Sequence, residues 1–344
     1  MKRDVYNPSM PQRHRLHEIV DSFPGRRIMA YGDPVLDRFV LGQPKRISRE
    51  APVIILHLES QRDLPGGGAN AMANIAALGA EVIPVGALGD DEPGQALRTA
   101  LAQRGIAGKG LVTVPGLRTT TKVRILAGGP SSLRFQVARY DIEDSIPPSA
   151  PCQQELLLHL RELAAEADAV TVSDYGYGSV KHDFISVLRE ALPRTSPIVV
   201  DSRFALSRFR GVDGATPNLE ELAARIGFPL LDDDSVASAA EQLRMELGAR
   251  FVVATRGSQG MTLVEEGRKP KHVAVFGNDQ VADVTGAGDT VLATLTTALA
   301  AGASCLEAVH LANLAGGIVV MKAGTATVGP AELHRAIELA EKLA

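Results

Sequence analysis

The sequence predicts an α/β protein: a mostly parallel sheet covered by helices on both faces, with a smaller sheet standing outside that layer. Three observations lead there. From Pro151 onward, strand candidates alternate regularly with helix candidates, the pattern of successive βα units. The glycine-rich stretches Pro65–Asn70 and Asp283–Thr290 each open an apolar helix, as ligand-binding turns of open α/β sheets do. Thr119–Leu126 and Ser132–Ala138 are rich in β-formers but alternate polar and apolar residues, unlike the long apolar runs of central parallel strands. With part of Arg38–Leu58 they are expected to form a lid, spanning about 38–64 and 118–142, that can close over a site.

The chain begins with a short helix candidate at Arg13–Ser22 and a compact strand at Arg26–Tyr31. That strand runs into Gly32-Asp33-Pro34-Val35-Leu36-Asp37, where two carboxylates four apart either face a ligand or make a polar loop. Val53–Leu58 is the next strand candidate, and after the glycines an alanine-rich helix runs from Ala71 to Leu78, closed by Gly79. Val82–Leu88 reads as a strand; Asp91 caps the following helix, with Pro93 in its first turn and Gly105 at its end. After a strand at Leu111–Val114, the two β-rich segments flank Gly128-Gly129-Pro130, a hairpin signal. Helices are expected at Gln153–Glu166, Lys181–Leu192, Leu219–Ile226 and Ser235–Leu247, and strands at Ala169–Ser173, Ile198–Asp201, Phe251–Thr255 and Met261–Val264. Two apolar helices, Thr290–Ala301 and Ser304–Met321, precede a last helix from Pro330. No repeat or low-complexity linker divides the chain, so residues 1–344 read as one domain with a lid.

Bulk composition narrows the function. A net charge of -4 provides no basic surface for nucleic acid. Cys152 and Cys305 fit neither a metal pattern nor a disulfide framework, which suits a reducing cytoplasm. Met1–Gly25 lacks the apolar core of a signal peptide. The uncharged stretch Thr290–Leu306 carries four threonines, Gly302 and Ser304, and reads as a buried helix rather than a membrane span. A cytoplasmic protein that meets neither membrane nor nucleic acid is expected.

The chemistry gathers at strand ends. In Asp283-Val284-Thr285-Gly286-Ala287-Gly288-Asp289-Thr290, the glycines let the backbone turn and approach a ligand. The free N–H groups and dipole of the helix start favour an anion. Asp289 adds a carboxylate there, either a base for a hydroxyl proton or an ordinary first-turn residue. Gly66, Gly68 and Ala71 match the G-x-G-x-x-A of a dinucleotide site, which would make an NAD-dependent dehydrogenase. That fingerprint follows directly on a strand, whereas Ser60–Pro65 is polar and proline-ended; backbone N–H groups and Asn70 reaching a polyhydroxylated ligand explain the same residues. Asn218 and Glu221 either serve a hydrated Mg²⁺ or form a plain helix cap. Thr255-Arg256-Gly257-Ser258-Gln259-Gly260 either offers N–H groups and an arginine to a polyphosphate or makes a hairpin turn. A Walker loop, protein-kinase loops, paired metal histidines and a G-x-S-x-G elbow are all missing. Positioning, a cation, a base and water exclusion are what phosphoryl transfer requires, and the chain offers a candidate for each.

Gly66-Gly67-Gly68-Ala69-Asn70 with Asn74 and Gly79, then Asn218-Leu219-Glu220-Glu221, then Asp283–Asp289, resemble the signatures of the ribokinase-like (PfkB) carbohydrate kinases, in order and over nearly the whole chain. The resemblance implies a three-layer α/β/α sandwich with a small β-sheet lid, and ATP-dependent phosphorylation of a sugar hydroxyl. It implies Asp289 as catalytic base and Gly286, Ala287 and Gly288 as anion hole. Asn218 and Glu221 would serve Mg²⁺ and phosphate, and Thr255, Gly257, Gly260 and Asn313 would line the nucleotide. Asp37, Gly67 and Asn70 would hold sugar hydroxyls, while Asp283, Thr285 and carbonyls around Ala323–Thr327 are candidates for K⁺.

Further runs resemble the heptose 7-phosphate kinases of that family: Gly32-Asp33-x-x-Leu36-Asp37-Arg38, Arg46-Ile47-Ser48-x-Glu50-Ala51-Pro52, Thr121-Lys122-x-Arg124, Arg139-x-Asp141-x-Glu143 and Ser173-Asp174-Tyr175. The resemblance adds Asp33 and Asp174 to the substrate set and assigns Lys122, Arg124 and Arg139 to a phosphate already on the sugar. D-glycero-β-D-manno-heptose 7-phosphate, converted to the 1,7-bisphosphate, is the expected reaction. Two departures bear on the substrate: Tyr177 stands where that group usually has Lys, and Ser202-Arg203 replaces a usual Pro-Lys. The alternatives are a kinase for another sugar, sugar phosphate or nucleoside, and a nucleotide- or sugar-binding regulator without turnover. Ending at Ala344, the chain is expected to have no room for the nucleotidyltransferase half of bifunctional members. A homodimer paired through the lids is expected, since small exposed sheets need covering.

Overall fold

The computed structural model describes residues 12–128, 134–181, 183–277 and 282–343. Helix α1 (Arg13–Asp21) leads into the first central strand, β1 (Arg27–Gly32). The chain then leaves the layer as a long antiparallel ribbon, β2 (Pro34–Ile47) and β3 (Ile54–Gly67). It returns through α2 (Gly68–Ala77), β4 (Glu81–Gly89), α3 (Glu92–Ala102) and β5 (Gly110–Val114). A second excursion adds β6 (Thr121–Ala127) and β7 (Phe135–Ile142). After α4 (Cys152–Ala164) the chain alternates: β8 (Ala169–Asp174), α5 (Phe184–Ala191), β9 (Ile198–Ser202), β10 (Gly214–Ala215), α6 (Leu219–Ile226), α7 (Asp233–Leu247), β11 (Phe251–Thr255). Strands β12 (Met261–Glu265) and β13 (Lys271–Val273) and helices α8 (Ala287–Ala300), α9 (Cys305–Val319) and α10 (Pro330–Leu343) follow.

The main sheet has the order β13-β12-β11-β10-β9-β8-β1-β4-β5, parallel from β11 to β5 and antiparallel at β12 and β13. Alternation along the strands divides the core between its faces. Ile198, Val200, Val252 and Ala254 pack with Leu156, Phe184 and Leu243 of α4, α5 and α7. Val199, Phe251 and Val253 instead join Leu292, Val309 and Ile337 of α8, α9 and α10. The second sheet, order β3-β2-β6-β7, stands apart. Its register sets Asp37 opposite Lys122, and Lys122 and Arg124 opposite Asp141 and Arg139. Since side chains repeat every second residue, these five share one face.

Helix α6 begins and ends where its cap residues predict, and Asp91 caps α3 by accepting from the Gly94 N–H at 2.9 Å. Ser60–Pro65, expected to interrupt the strand before the glycines, lies within β3. The reason is the edge: β3 is an outer strand, where a proline leaves no ladder donor missing. That strand belongs to the outlying sheet, so the glycines still do not end a central strand as a dinucleotide fingerprint requires. Strands β10 and β13, of two and three residues, are too short to leave a pattern in the sequence. Gly129, Pro130 and Ser132 of the expected hairpin lie outside the described residues. No helix among the described residues is long and apolar enough to cross a membrane. In α8 the Thr290 and Thr297 hydroxyls donate to the Gly286 and Ala293 carbonyls at 3.0 and 2.8 Å, whereas those of Thr294 and Thr296 are buried without a hydrogen-bond partner among the described residues.

Candidate active site

At the C-terminal ends of the central strands, a cleft of about 150 Å³ lies between the main layer and the second sheet. Asp37, Lys122 and Arg124 line it from the second sheet, and Gly67 from the end of β3; Tyr175, Thr285, Gly286, Asp289 and Thr325 line it from the main layer.

The main-layer side is the start of α8. Gly286 caps the helix at φ 79°, and a Cβ there would lie 2.4 Å from the Asn70 amide nitrogen, so only glycine fits. The Asn70 amide donates to the Gly286 carbonyl (3.3 Å) and to Asp289 Oδ2 (3.0 Å). Its own oxygen and carbonyl accept from Asn74 at 3.2 and 3.0 Å, which fixes the amide's orientation. The Tyr175 hydroxyl donates to Asp289 Oδ1 at 2.8 Å. Asp289 is 3% exposed. Burial pushes its carboxyl up to about 7, against the opposing hydrogen bonds from Asn70 and Tyr175. The first N–H groups of α8 have no intrahelical partner; that of Ala287 reaches back to the Val284 carbonyl at 3.3 Å. An ionisable carboxyl poised near neutrality beside free N–H donors can take a proton from a hydroxyl and hold an anion.

On the lid side, Arg124 forms an ion pair with Asp37, so its charge is already matched. Asp37 packs against the glycine run, where a Cβ on Gly66 would come within 2.4 Å of its oxygen. The Lys122 ammonium sits 5.4 Å from the Tyr175 ring centroid. Burial lowers its pKa, and Lys122 makes no ion pair among the described residues. Arg139 lies outside the cleft lining and is chelated by Asp141, with Nε–Oδ1 at 2.8 Å.

Other expected site residues also anchor the backbone around the cleft. Buried Asp33 accepts from the N–H groups of Tyr175, Tyr177 and Ser179 at 2.9, 3.1 and 2.8 Å. Burial pushes its carboxyl up to about 6. Asp174 accepts from the Gly176 N–H (3.0 Å) and the Ser202 hydroxyl (2.6 Å). Both are expected at the substrate; the hydrogen bonds they make tie the 175–179 loop and Ser202, as buried carboxylates seek donors. Asn70 likewise spends its amide on Asp289 and Gly286 rather than facing the cleft. The Thr327 carbonyl, within the expected cation loop, accepts from Lys322 Nζ at 2.6 Å. Asp283 accepts from the Thr285 and Gly324 N–H groups at 2.9 and 3.1 Å. Burial acts to raise its pKa, but these hydrogen bonds outweigh it and hold the carboxyl below the usual range.

On the third side, Thr255 bridges to Asn218. Arg256, expected to face a polyphosphate, points the other way: it is buried, pairs with Asp233 at 2.6 Å and donates to Thr262 at 3.2 Å. Gly257 and Gly260 have φ of 55° and 83° in the turn joining β11 to β12. Asn313 donates to the Ala274 carbonyl at 2.8 Å. Asn218 and Glu221 form a reciprocal capping box on α6. The Glu221 carboxyl is raised by burial, and so is Asp201, at the end of β9, where Glu221, Asp289 and Asp174 add repulsion. A Cβ on Gly288 would sit 3.8 Å from Asp201 Oδ2. Carboxylates thus crowd the same helix N-terminus, though no cluster of three or more His, Cys, Asp or Glu among the described residues is arranged to hold a metal ion.

Tyr175, Asp201 and Thr325 were not singled out from the sequence. Tyr175 closes the run Ser173-Asp174-Tyr175 and Asp201 ends a predicted strand, so position at a strand end was the available signal; Thr325 lies in the 323–327 segment whose carbonyls were expected at a cation, but its side chain at the cleft was not foreseen.

The profile of the pfkB family carbohydrate kinases matches residues 28–332. The chain belongs to that family. As a member it is an ATP-dependent sugar kinase, and the family's chemistry brings Mg²⁺ with the nucleotide. The bifunctional protein HldE of Mesorhizobium japonicum is 39% identical over 337 residues, covering 96% of this chain and 66% of that protein. The HldE of Nitrosococcus oceani is 41% identical over 319 residues, covering 92% and 64%. The chain thus spans about two thirds of the length of these relatives. Among solved structures, Arabidopsis thaliana ribokinase complexed with ribose and ATP superposes with TM-score 0.69 at 21% identity, covering 92% of this chain and 99% of that one. Escherichia coli phosphofructokinase-2 in complex with potassium gives 0.71 at 22%, covering 91% and 98%. These likenesses show a ribokinase-like fold.

Proposed function

We propose that this kinase phosphorylates the anomeric hydroxyl of a sugar phosphate, D-glycero-β-D-manno-heptose 7-phosphate ahead of other sugars. One observation carries the reading: the buried Asp289 carboxyl, held between Asn70 and Tyr175, shares a cleft with Lys122 on the opposite wall. The similarity to HldE proteins supports a heptose phosphate as acceptor.

Asp289 accepts the proton of the acceptor hydroxyl as its oxygen bonds to the γ-phosphorus; the bond from phosphorus to the β–γ bridging oxygen breaks and ADP leaves. The N–H groups of Gly288 and Asp289 stabilise the negative charge that moves onto the transferring group. The raised carboxyls of Asp201 and Glu221 at this helix start fit a divalent cation, held largely through water and phosphate oxygens. Bound Mg²⁺ would neutralise phosphate charge there. Ionised Asp283, tied to Gly324, is the protein group best suited to a K⁺ site.

The reading extends to assembly and place. Exposed Ile54, Leu58, Phe135 and Tyr140 on the second sheet support a homodimer paired through the lids. The two buried free cysteines accord with the cytoplasm.

The test follows ADP release with ATP, Mg²⁺ and a panel of sugars, sugar phosphates and nucleosides. Acceptor-dependent ADP formation, largest with the heptose phosphate, is expected, falling about 10²- to 10⁴-fold in Asp289→Asn with ATP binding kept. Equal activity of Asp289→Asn would refute the base assignment, and preference for another acceptor would replace the heptose. No acceptor-dependent turnover at all would favour a binding regulator.

A further inference from the structure

The hydroxyl of Tyr175 reaches the base from the end of β8. The residue is held from behind: its backbone N–H donates to buried Asp33 at 2.9 Å, and the Lys122 ammonium sits 5.4 Å from the ring centroid. So mounted, the hydroxyl meets Asp289 Oδ1 at 2.8 Å. Burial, together with the charges of Asp289 and Asp201, keeps the phenol well above its ordinary range, so it stays protonated and is no base itself.

The two oxygens of Asp289 have unlike partners. Oδ2 faces the Asn70 amide nitrogen, which can only donate, and Asn74 locks that amide by donating to its oxygen at 3.2 Å. A tyrosine hydroxyl either donates or accepts, and turning about its C–O bond changes one role into the other. While the carboxylate is ionised, Tyr175 donates to Oδ1. Once Oδ1 carries a proton, that proton finds an acceptor in the same hydroxyl, whose own hydrogen turns toward the cleft that Tyr175 lines. A proton on Oδ2 finds no such acceptor in Asn70.

Resting on the reading of Asp289 as the base, we infer that Tyr175 is a positioning residue: it fixes Oδ1 as the oxygen that takes the acceptor's proton and stays bonded to the carboxyl in both protonation states. The O–H bond of the acceptor breaks, an O–H bond forms on Oδ1, and the Tyr175 hydroxyl turns from donor to acceptor without the ring moving. The proton passes to water when the products leave. Donation to the ionised form is charge-assisted and the stronger of the two bonds, so the hydroxyl on balance favours the working base.

The test uses the whole protein with ATP, Mg²⁺ and whichever acceptor the parent turns over. Tyr175→Phe removes the hydroxyl and keeps the ring beside Lys122. Asp37 and Lys122 on the second sheet, and Asp201 at the end of β9, act on the same carboxyl and stay in place. The midpoint of kcat/KM against pH should therefore rise by about one unit. That is roughly tenfold less activity at pH 6, closing to within about threefold at pH 9, with the Kd for ATP within about twofold. Meta-fluorotyrosine at position 175 is a stronger donor and should move the midpoint down by a few tenths of a unit; it carries the test if Tyr175→Phe fails to bind ATP. Activity lowered equally at every pH, with the midpoint unmoved, would make Tyr175 a packing residue and overturn the inference while the base assignment stands. An Asp289→Asn variant as active as the parent would remove that assignment, and this inference with it.

Discussion

Asp289 has a carboxyl raised to about 7 by burial, so it is a working base only above that value. In the free enzyme, kcat/KM should rise roughly tenfold between pH 6 and pH 8, with the midpoint set by this group. A flat profile over that range would exclude it. The same shift bears on stability. Because the folded pKa lies above the unfolded value of 3.8, the neutral carboxyl favours the fold, and that advantage is lost as pH rises toward 7. Asp201 and Glu221 are raised too and act in the same direction. The protein should therefore melt at lower temperature at pH 8 than at pH 5.5, and Asp289→Asn should exceed the parent by a few degrees at pH 8, with a smaller gap at pH 5.5. Melting curves that show the opposite order would contradict the burial argument. Why these residues were legible is also a matter of single positions. Gly286 and Asp289 declare themselves locally, through a turn and a helix start. Asn70 does not: its partner lies 219 positions away, and nothing in the glycine run says that its amide will be spent on a carboxylate rather than a sugar.

The short helix α6 illustrates two meanings in one motif. Asn218 and Glu221 close a capping box, and Glu221 also shares electrostatics with Asp201 near the start of α8. A cap alone predicts that Asn218→Ala costs about 1 kcal/mol, roughly 2 °C in Tm, with steady-state constants unchanged. A role toward Mg²⁺ predicts in addition a several-fold higher requirement for Mg²⁺ at fixed ATP, read by titrating the metal. Only the second outcome supports the cation assignment. Local chemistry made α6 readable to the residue, since Asn218 and Gly227 bracket it. The ribbon was harder. Polar Ser60–Pro65 looks like a loop because the expected signal was a buried strand, whereas β3 lies at a sheet edge and tolerates both polarity and proline. Asp33 and Asp174 show a second ambiguity: a carboxylate at a strand end can serve a ligand or the next loop, and the hydrogen bonds these two make to residues 175–179 have no local mark in the sequence.

The whole molecule joins a rigid α/β layer to a sheet whose apolar residues Ile54, Leu58, Phe135 and Tyr140 remain exposed. If two lids pair, light scattering should give twice the chain mass for the parent, and Leu58→Glu should yield monomers with weakened sugar binding. A parent that is monomeric at all concentrations would reject the pairing. The βα alternation made the layer plain, because each strand and helix there carries its own pattern; the cleft was not, because it exists only where two sheets meet. That division has a further meaning. The residues expected to recognise the acceptor, Asp37 and Lys122, hang on β2 and β6, a ladder closed within the second sheet. The base and the anion-binding turn belong to α8, which is braced by α2 and α9. The two are still in electrostatic contact, since the charges of Asp37 and Lys122 both act on the Asp289 carboxyl and Lys122 sits over the ring of Tyr175, whose hydroxyl hydrogen-bonds it. A mutational search for new acceptors would begin with β2 and β6, and each ladder variant that changes a charge should also move the pH at which Asp289 becomes a base.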